Sequence, residues 1–195
     1  MANDQVLFWR DKMSTLWMEN LGLWSKHNTY GFGELDRYFA FCAAKDWLQD
    51  TGEAILTHRK IGFCHQPLQS YIEFWGIMQG LFVQQDAIKE LSYAVTGRRL
   101  KNDYSTGHAW RELRDLRNLV VGHPTNKMLG EVKGRTVIGR QSMTYHRISI
   151  VMYSPAGETK ARTINLGELI DNYDDEAGAL MKNLFSSLQV IVAGL

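Results

Sequence analysis

The chain has 195 residues, 45% of them hydrophobic and 22% charged, with a formal net charge of +1. That is enough for one domain with a substantial core, and the composition excludes a largely disordered polypeptide. The near-balanced charge excludes a polycation, so binding to nucleic acid requires a local basic patch.

The first ten residues lack a basic leader followed by a long apolar run, so no signal peptide is predicted. Val6, Trp9, Met13, Leu16, Trp17 and Trp24 recur at helical spacing, with Asn3 or Asp4 available as a cap and Gly22 weakening the later part. Gly31-Phe32-Gly33 is a break. A second helical pattern carries Leu35, Tyr38, Phe39, Cys42, Trp47 and Leu48, with Thr51-Gly52 as its expected end or interruption. Gln66-Pro67 opens a third helix, with the stripe Leu68, Tyr71, Trp75, Met78, Phe82, Ile88, Leu91 and Val95 and a stop at Gly97. After a polar loop, a short helix from about His108 to Val121 carries Trp110, Leu113, Leu116, Val120 and Val121. Gly122 suits the position just past its end, and Pro124 prevents continuation.

The pattern then changes. Met143 to Tyr153 reads as a strand with Ile148, Ile150 and Met152 on one face, Ser154-Pro155-Ala156-Gly157 as a turn, and Thr159 to Ile164 as the returning strand. A third short strand is placed near Thr136 to Ile138. Asn165 and Glu168 form a capping pair for a last helix striped by Leu169, Tyr173, Leu180, Leu184, Leu188 and Ile191. The predicted fold is therefore mainly α: a bundle of about five helices with a β-hairpin inserted before the last. One domain, 1–195, is expected, with a helical extension at 1–60, motif-bearing helices at 67–125, the hairpin at 134–165 and the C-terminal helix at 166–193. No apolar run approaches the roughly 18 residues of a membrane span. Two cysteines, Cys42 and Cys64, are too few for a disulfide framework. A cytoplasmic location is expected, with no membrane partner.

Between Gly97 and Arg117 stand Arg98, Arg99, Lys101, Arg111, Arg114 and Arg117, against Asp103, Glu112 and Asp115. This local excess suits either an anionic ligand or a solvated charged face. Arg117 lies four residues after Leu113 and seven after Trp110, on the apolar side of its helix. An arginine there is paired or functional. The first reading is a salt bridge to Asp171 or Glu168; the second is a cation held for a ligand. His123 follows six residues on. In an unbroken helix six residues rise about 9 Å and the two side chains diverge by about 120°. The two residues therefore need the Gly122 break, or a second copy of the chain, to act on one ligand. A histidine beside a fixed cation suits phosphodiester chemistry, and a structural histidine is the other reading.

Arg117-Asn118, four residues and His123 resemble the Arg-x(4–6)-His motif of the HEPN superfamily of helical-bundle proteins. The long third helix, the short motif-bearing helix and the returning last helix are similar to that family's order. The resemblance covers about Pro67 to Pro124 and the last helix. It implies a metal-independent, homodimeric endoribonuclease in a bacterial defence or stress system, with a composite site at the dimer interface. Arg117 would bind the scissile phosphate, His123 would act as general acid or base, and Asn118 would orient the phosphate or the histidine. Arg98, Arg111 and Arg114 would guide the RNA backbone. A protein antitoxin is a further implied partner, although Thr125 stands where toxin members often carry tyrosine. Other members of the family are inactive binding or dimerisation modules for RNA or protein, which is the alternative function.

No metal or cofactor is expected. His58, Cys64 and His65 lack a second cluster to complete a zinc site. Asp171, Asp174, Asp175 and Glu176 have the wrong spacing for a calcium loop and either pair with the basic segment or lie opposite it.

Overall fold

The computed structural model describes residues 4–24, 29–100, 108–122, 127–129 and 132–194. The elements in order are α1 (Gln5–Glu19), α2 (Leu21–Trp24), α3 (Leu35–Ile61), α4 (Pro67–Thr96), α5 (His108–Arg117), a π-helical turn (Asn118–Gly122), β1 (Lys127–Leu129), β2 (Val132–Thr144), β3 (Arg147–Tyr153), β4 (Thr159–Ile164) and α6 (Leu166–Ala193). The predicted class holds: a mainly helical bundle with an antiparallel sheet inserted before the last helix.

α3 and α4 form a long antiparallel pair because the chain reverses over the short segment between Ile61 and Pro67. α6 packs against α1, α4 and α5. The expected N-terminal extension contributes to the same core: Val6, Met13, Phe41 and Leu48 are buried with Phe74, Leu81, Trp110, Ile150, Tyr173 and Leu188. Each such large apolar side chain contributes about 1.5–3 kcal/mol by leaving water.

Four local expectations are corrected. Gly52 does not interrupt α3, which continues to Ile61. A Cβ there would lie 2.6 Å from Leu7 Cδ2, so the glycine lets α1 approach the helix closely. The segment Met143 to Tyr153 is not one strand: Met143 belongs to β2, and a turn at Tyr145-His146 leads into β3. On α4, Leu68 and Trp75 are exposed, and Phe74, Ile77, Leu81 and Ile88 take the core side. The first half of this helix is apolar around much of its circumference, so periodicity did not identify its inner face. α1 ends at Glu19, and Gly22 falls in the separate four-residue α2.

The sheet order is β1-β2-β3-β4, all antiparallel. Ile138, Met143, Ile148, Ile150, Met152 and Ile164 are buried on its inner side. The β2–β3 register shifts between Gly139 and Thr144, where Ser142 adopts φ +58.

Several helix ends are satisfied from elsewhere in the chain. Asp4 occupies the first cap position, but its side chain makes no capping hydrogen bond. Instead Asp174 of α6 accepts from Gln5 N at 2.8 Å and Val6 N at 3.2 Å. Glu176 accepts from Ala109 N at 3.0 Å and Trp110 N at 2.8 Å at the start of α5. Arg37 donates to the carbonyls of Ala94 and Val95 at the end of α4, at 2.9 and 3.0 Å. These contacts supply partners for the unpaired first N–H and last C=O groups of the helices. The predicted pair at the start of α6 is also present: Asn165 Oδ1 accepts from Glu168 N at 3.2 Å. The acidic cluster therefore divides into separate structural contacts, with Asp171 paired to Arg59 at 2.7 Å.

Burial raises the Asp174 carboxyl to about 6, against the lowering effect of the Gln5 and Val6 N–H groups. The unfolded value is about 3.9, so the folded state holds the extra proton between about pH 4 and 6. The stability contributed by that proton is fully present below pH 4 and is lost as pH rises through 6. Asp174→Asn keeps an acceptor oxygen and cannot titrate. In urea unfolding at pH 7, 6 and 5, the wild-type chain should gain stability relative to this variant as pH falls. A constant difference would show that Asp174 is not desolvated in this way.

Candidate functional site

The site is built on α5 and the π turn. Ten residues make a marginal helix in isolation. α5 is held instead by the Glu176 cap and by buried Trp110, Leu113 and Leu116. Trp110 packs against Tyr173 with ring centroids 5.5 Å apart, and its carbonyl accepts from Gln85 Nε2 at 3.0 Å.

Arg114 and Arg117 both lie over the Phe82 ring, each guanidinium carbon 4.2 Å from the centroid. Their surroundings differ in charge. Arg114 Nη1 is 2.9 Å from Asp86 Oδ1 and 3.4 Å from Gln85 Oε1. Arg117 donates to two neutral amides, Asn118 Oδ1 at 3.1 Å and Gln79 Oε1 at 3.2 Å. Its Nε is buried without a hydrogen-bond partner among the described residues. The expected alternative, an ion pair with Asp171 or Glu168, is not formed. Asp171 pairs with Arg59, and the Glu168 carboxylate accepts from Nδ2 of Asn165, the cap of α6. Arginine remains protonated, so the group is a held cation with no carboxylate paired to it among the described residues.

The helix does not stop at Gly122 as a simple cap. It widens into a π turn over Asn118–Gly122. Residues 117 and 122 are then five apart, the spacing at which a π turn closes its hydrogen bond. A Cβ on Gly122 would lie 2.8 Å from Arg117 Nη1 and 3.6 Å from Asn118 Oδ1. Glycine leaves the space that the guanidinium occupies, and the turn brings the chain back beside it. His123, the next residue in the sequence, lies outside the described residues, as do Pro124 and Thr125.

The other predicted RNA contacts separate. Arg111 is exposed on α5. Arg114 is committed to Asp86. Arg98 follows the end of α4, where its carbonyl accepts from the Ser92 and Thr96 hydroxyls. It is sixteen residues beyond Phe82, or about 24 Å along a helix. Gln79 was not identified as a site residue, and Phe82 was identified only as core. The available signal was a polar island, Gln79, Gln84, Gln85 and Asp86, interrupting an apolar helix.

A second polar cluster joins the α3–α4 connection to the sheet. His58 Nδ1 shares a 2.7 Å hydrogen bond with the Tyr145 hydroxyl, and His58 Nε2 is 3.5 Å from Glu73. Glu73 also accepts from Cys64 N at 2.8 Å. Burial raises the Tyr145 phenol above its ordinary range. A cleft of about 460 Å³ beside Tyr145 is lined by Cys64, His65, Arg140 and Ser142. Among the described residues, no group of three His, Cys, Asp or Glu side chains could hold a metal ion. Nor is any described helix long and apolar enough to cross a membrane.

No protein-family model matches the chain, and no curated protein or solved structure matches it.

The two stacked arginines should respond differently to removal of charge. Arg114→Met removes the guanidinium's bonds to Asp86 and Gln85, leaving Asp86 with Lys89 at 3.0 Å, and should cost about 1 kcal/mol in urea unfolding. Arg117→Met keeps the apolar contact with Phe82 and should change stability by less than about 0.5 kcal/mol. A larger loss for Arg117→Met would make that arginine a structural one.

Proposed function

We propose that the chain is a metal-independent endoribonuclease in which Arg117 holds the scissile phosphate. One observation carries the reading: a guanidinium fixed by Phe82, Asn118 and Gln79 with no paired carboxylate among the described residues. A preorganised cation of this kind stabilises the charge that develops on a phosphorane-like transition state. The Arg-x(4–6)-His resemblance adds His123 as the proton-transfer group.

In the proposed reaction the ribose 2′-hydroxyl attacks its neighbouring phosphate and gives up its proton to a base. The P–O5′ bond breaks, and the leaving 5′-oxygen is protonated by an acid. The products are a 2′,3′-cyclic phosphate and a 5′-hydroxyl. His123 serves as one of the two proton-transfer groups. Asn118 positions the arginine through its amide oxygen. The composite site of two subunits, and a role in defence or stress, come from the same family resemblance.

Cleavage of a labelled single-stranded RNA in the presence of chelator tests this. Arg117→Ala should lower the rate about 10²–10³-fold, and His123→Ala about 10²–10⁴-fold, with unchanged circular dichroism. A wild-type chain that binds RNA but never cleaves it would be a binding module instead.

Gly122→Ala offers a subtler check. The added methyl's one tight contact is with the far end of the Arg117 side chain, so the fold should tolerate it while the guanidinium is displaced. The melting temperature should stay within a few degrees, while cleavage falls about 10²-fold, the usual consequence of a 1 Å misplacement. Full retention of activity would remove the π turn from the mechanism.

A further inference from the structure

We propose that the outward face of the β2–β3–β4 sheet is a docking platform for single-stranded RNA. The ligand class rests on the RNA reading of Arg117; the location rests on the sheet itself.

The first observation is charge. Among the described outward-facing positions of β2, β3 and β4 stand Arg135 and Arg147 and no acidic residue, whereas Lys160 and Arg162 stand opposite buried Met152 and Ile150 and so belong to the other side. In the segment around α5 that looked basic in sequence, Arg99 is paired to Glu90 and Arg114 to Asp86. On the sheet, the ion pair among the described residues is Arg162 with Glu112 at 2.5 Å. The outward face thus carries two cations and no anion among its described positions.

The second observation is the arrangement of that face. Arg135 stands directly opposite Tyr153, whose side is 49% exposed. Val137, 50% exposed, stands opposite Val151, which in turn stands opposite Ala161. Arg147 lies on the same side of β3 as Tyr153, six residues away and so about 20 Å along the strand. The result is a flat apolar row between two cations, with an exposed aromatic beside one of them.

Single strands are bound by this combination: cations track the phosphates while unstacked bases lie on aromatic and flat apolar surfaces. A duplex hides its base faces and cannot use Tyr153 in this way. β2 also packs against the π turn that carries Gly122, so the platform adjoins the element on which the Arg117 site is built.

The test is fluorescence anisotropy with a labelled 2′-O-methyl oligouridylate of about 20 nucleotides, which lacks the attacking hydroxyl, at several salt concentrations. The same strand annealed to its complement serves as the duplex arm. The double variant Arg135→Ala, Arg147→Ala should lose at least about tenfold in affinity, and the slope of log K against log salt should shrink by about 1.4. Tyr153→Thr should lose about fivefold or more with an unchanged slope, and Tyr153→Phe should retain wild-type affinity. Sheet variants that stay within twofold of wild type would overturn the platform; if Arg117→Met still abolishes binding or cleavage, the Arg117 reading survives. Loss of affinity in the sheet variants, with Arg117→Met fully active and fully binding, would uphold the platform and sink the Arg117 reading. Equal affinity for the duplex would overturn the single-strand assignment. A wild-type chain that binds neither probe at 50 mM salt overturns both.

Discussion

The structure depends on what α6 does with its acidic residues. Asp174 and Glu176 are two positions apart on one helix, so they point to nearly opposite sides of it. Asp174 takes the first N–H groups of α1, and Glu176 takes those of α5. Tyr173, between them in orientation, is wholly enclosed by the core. One helix therefore fixes the starting points of two others that are distant in sequence. For α5 this is decisive. It is short, and its far end carries Arg117. The cap at one end and the Phe82 contact near the other define where that guanidinium sits.

The cation itself is arranged by subtraction as much as by addition. Two arginines share one aromatic ring, yet only one is given a carboxylate. Asp86 reaches Arg114, one turn earlier, and the acids of α6 are occupied elsewhere. Arg117 is left with amide oxygens, which orient it without cancelling its charge. The desolvation of its Nε without a partner among the described residues costs stability.

The helices and their ends were legible because their signals are local. Pro67 and Gly97 bound α4, and Asn165 with Glu168 marks the start of α6. What was not legible was long-range. Nothing near Gln5 announces a cap supplied from position 174. Gly52 reads as a breaker until Leu7 is seen against it. The strand boundary at Tyr145-His146 carries no glycine or proline, so β3 and the end of β2 merged into one apparent strand. At the candidate site, Arg117 stood out because a charge on an apolar helix side is a local anomaly. Gln79 and Phe82 did not, because their meaning comes from the helix packed against them.

The outer strand of the sheet has a consequence for how copies of this chain meet. β4 has one neighbour, β3, and leaves its other edge unpaired among the described strands. An open edge is a template for another strand. In an antiparallel pairing of two β4 strands centred on Ala161, Lys160 of one copy would face Arg162 of the other. Like charges directly opposite oppose that register. The edge thus disfavours that register of pairing with a second copy of itself.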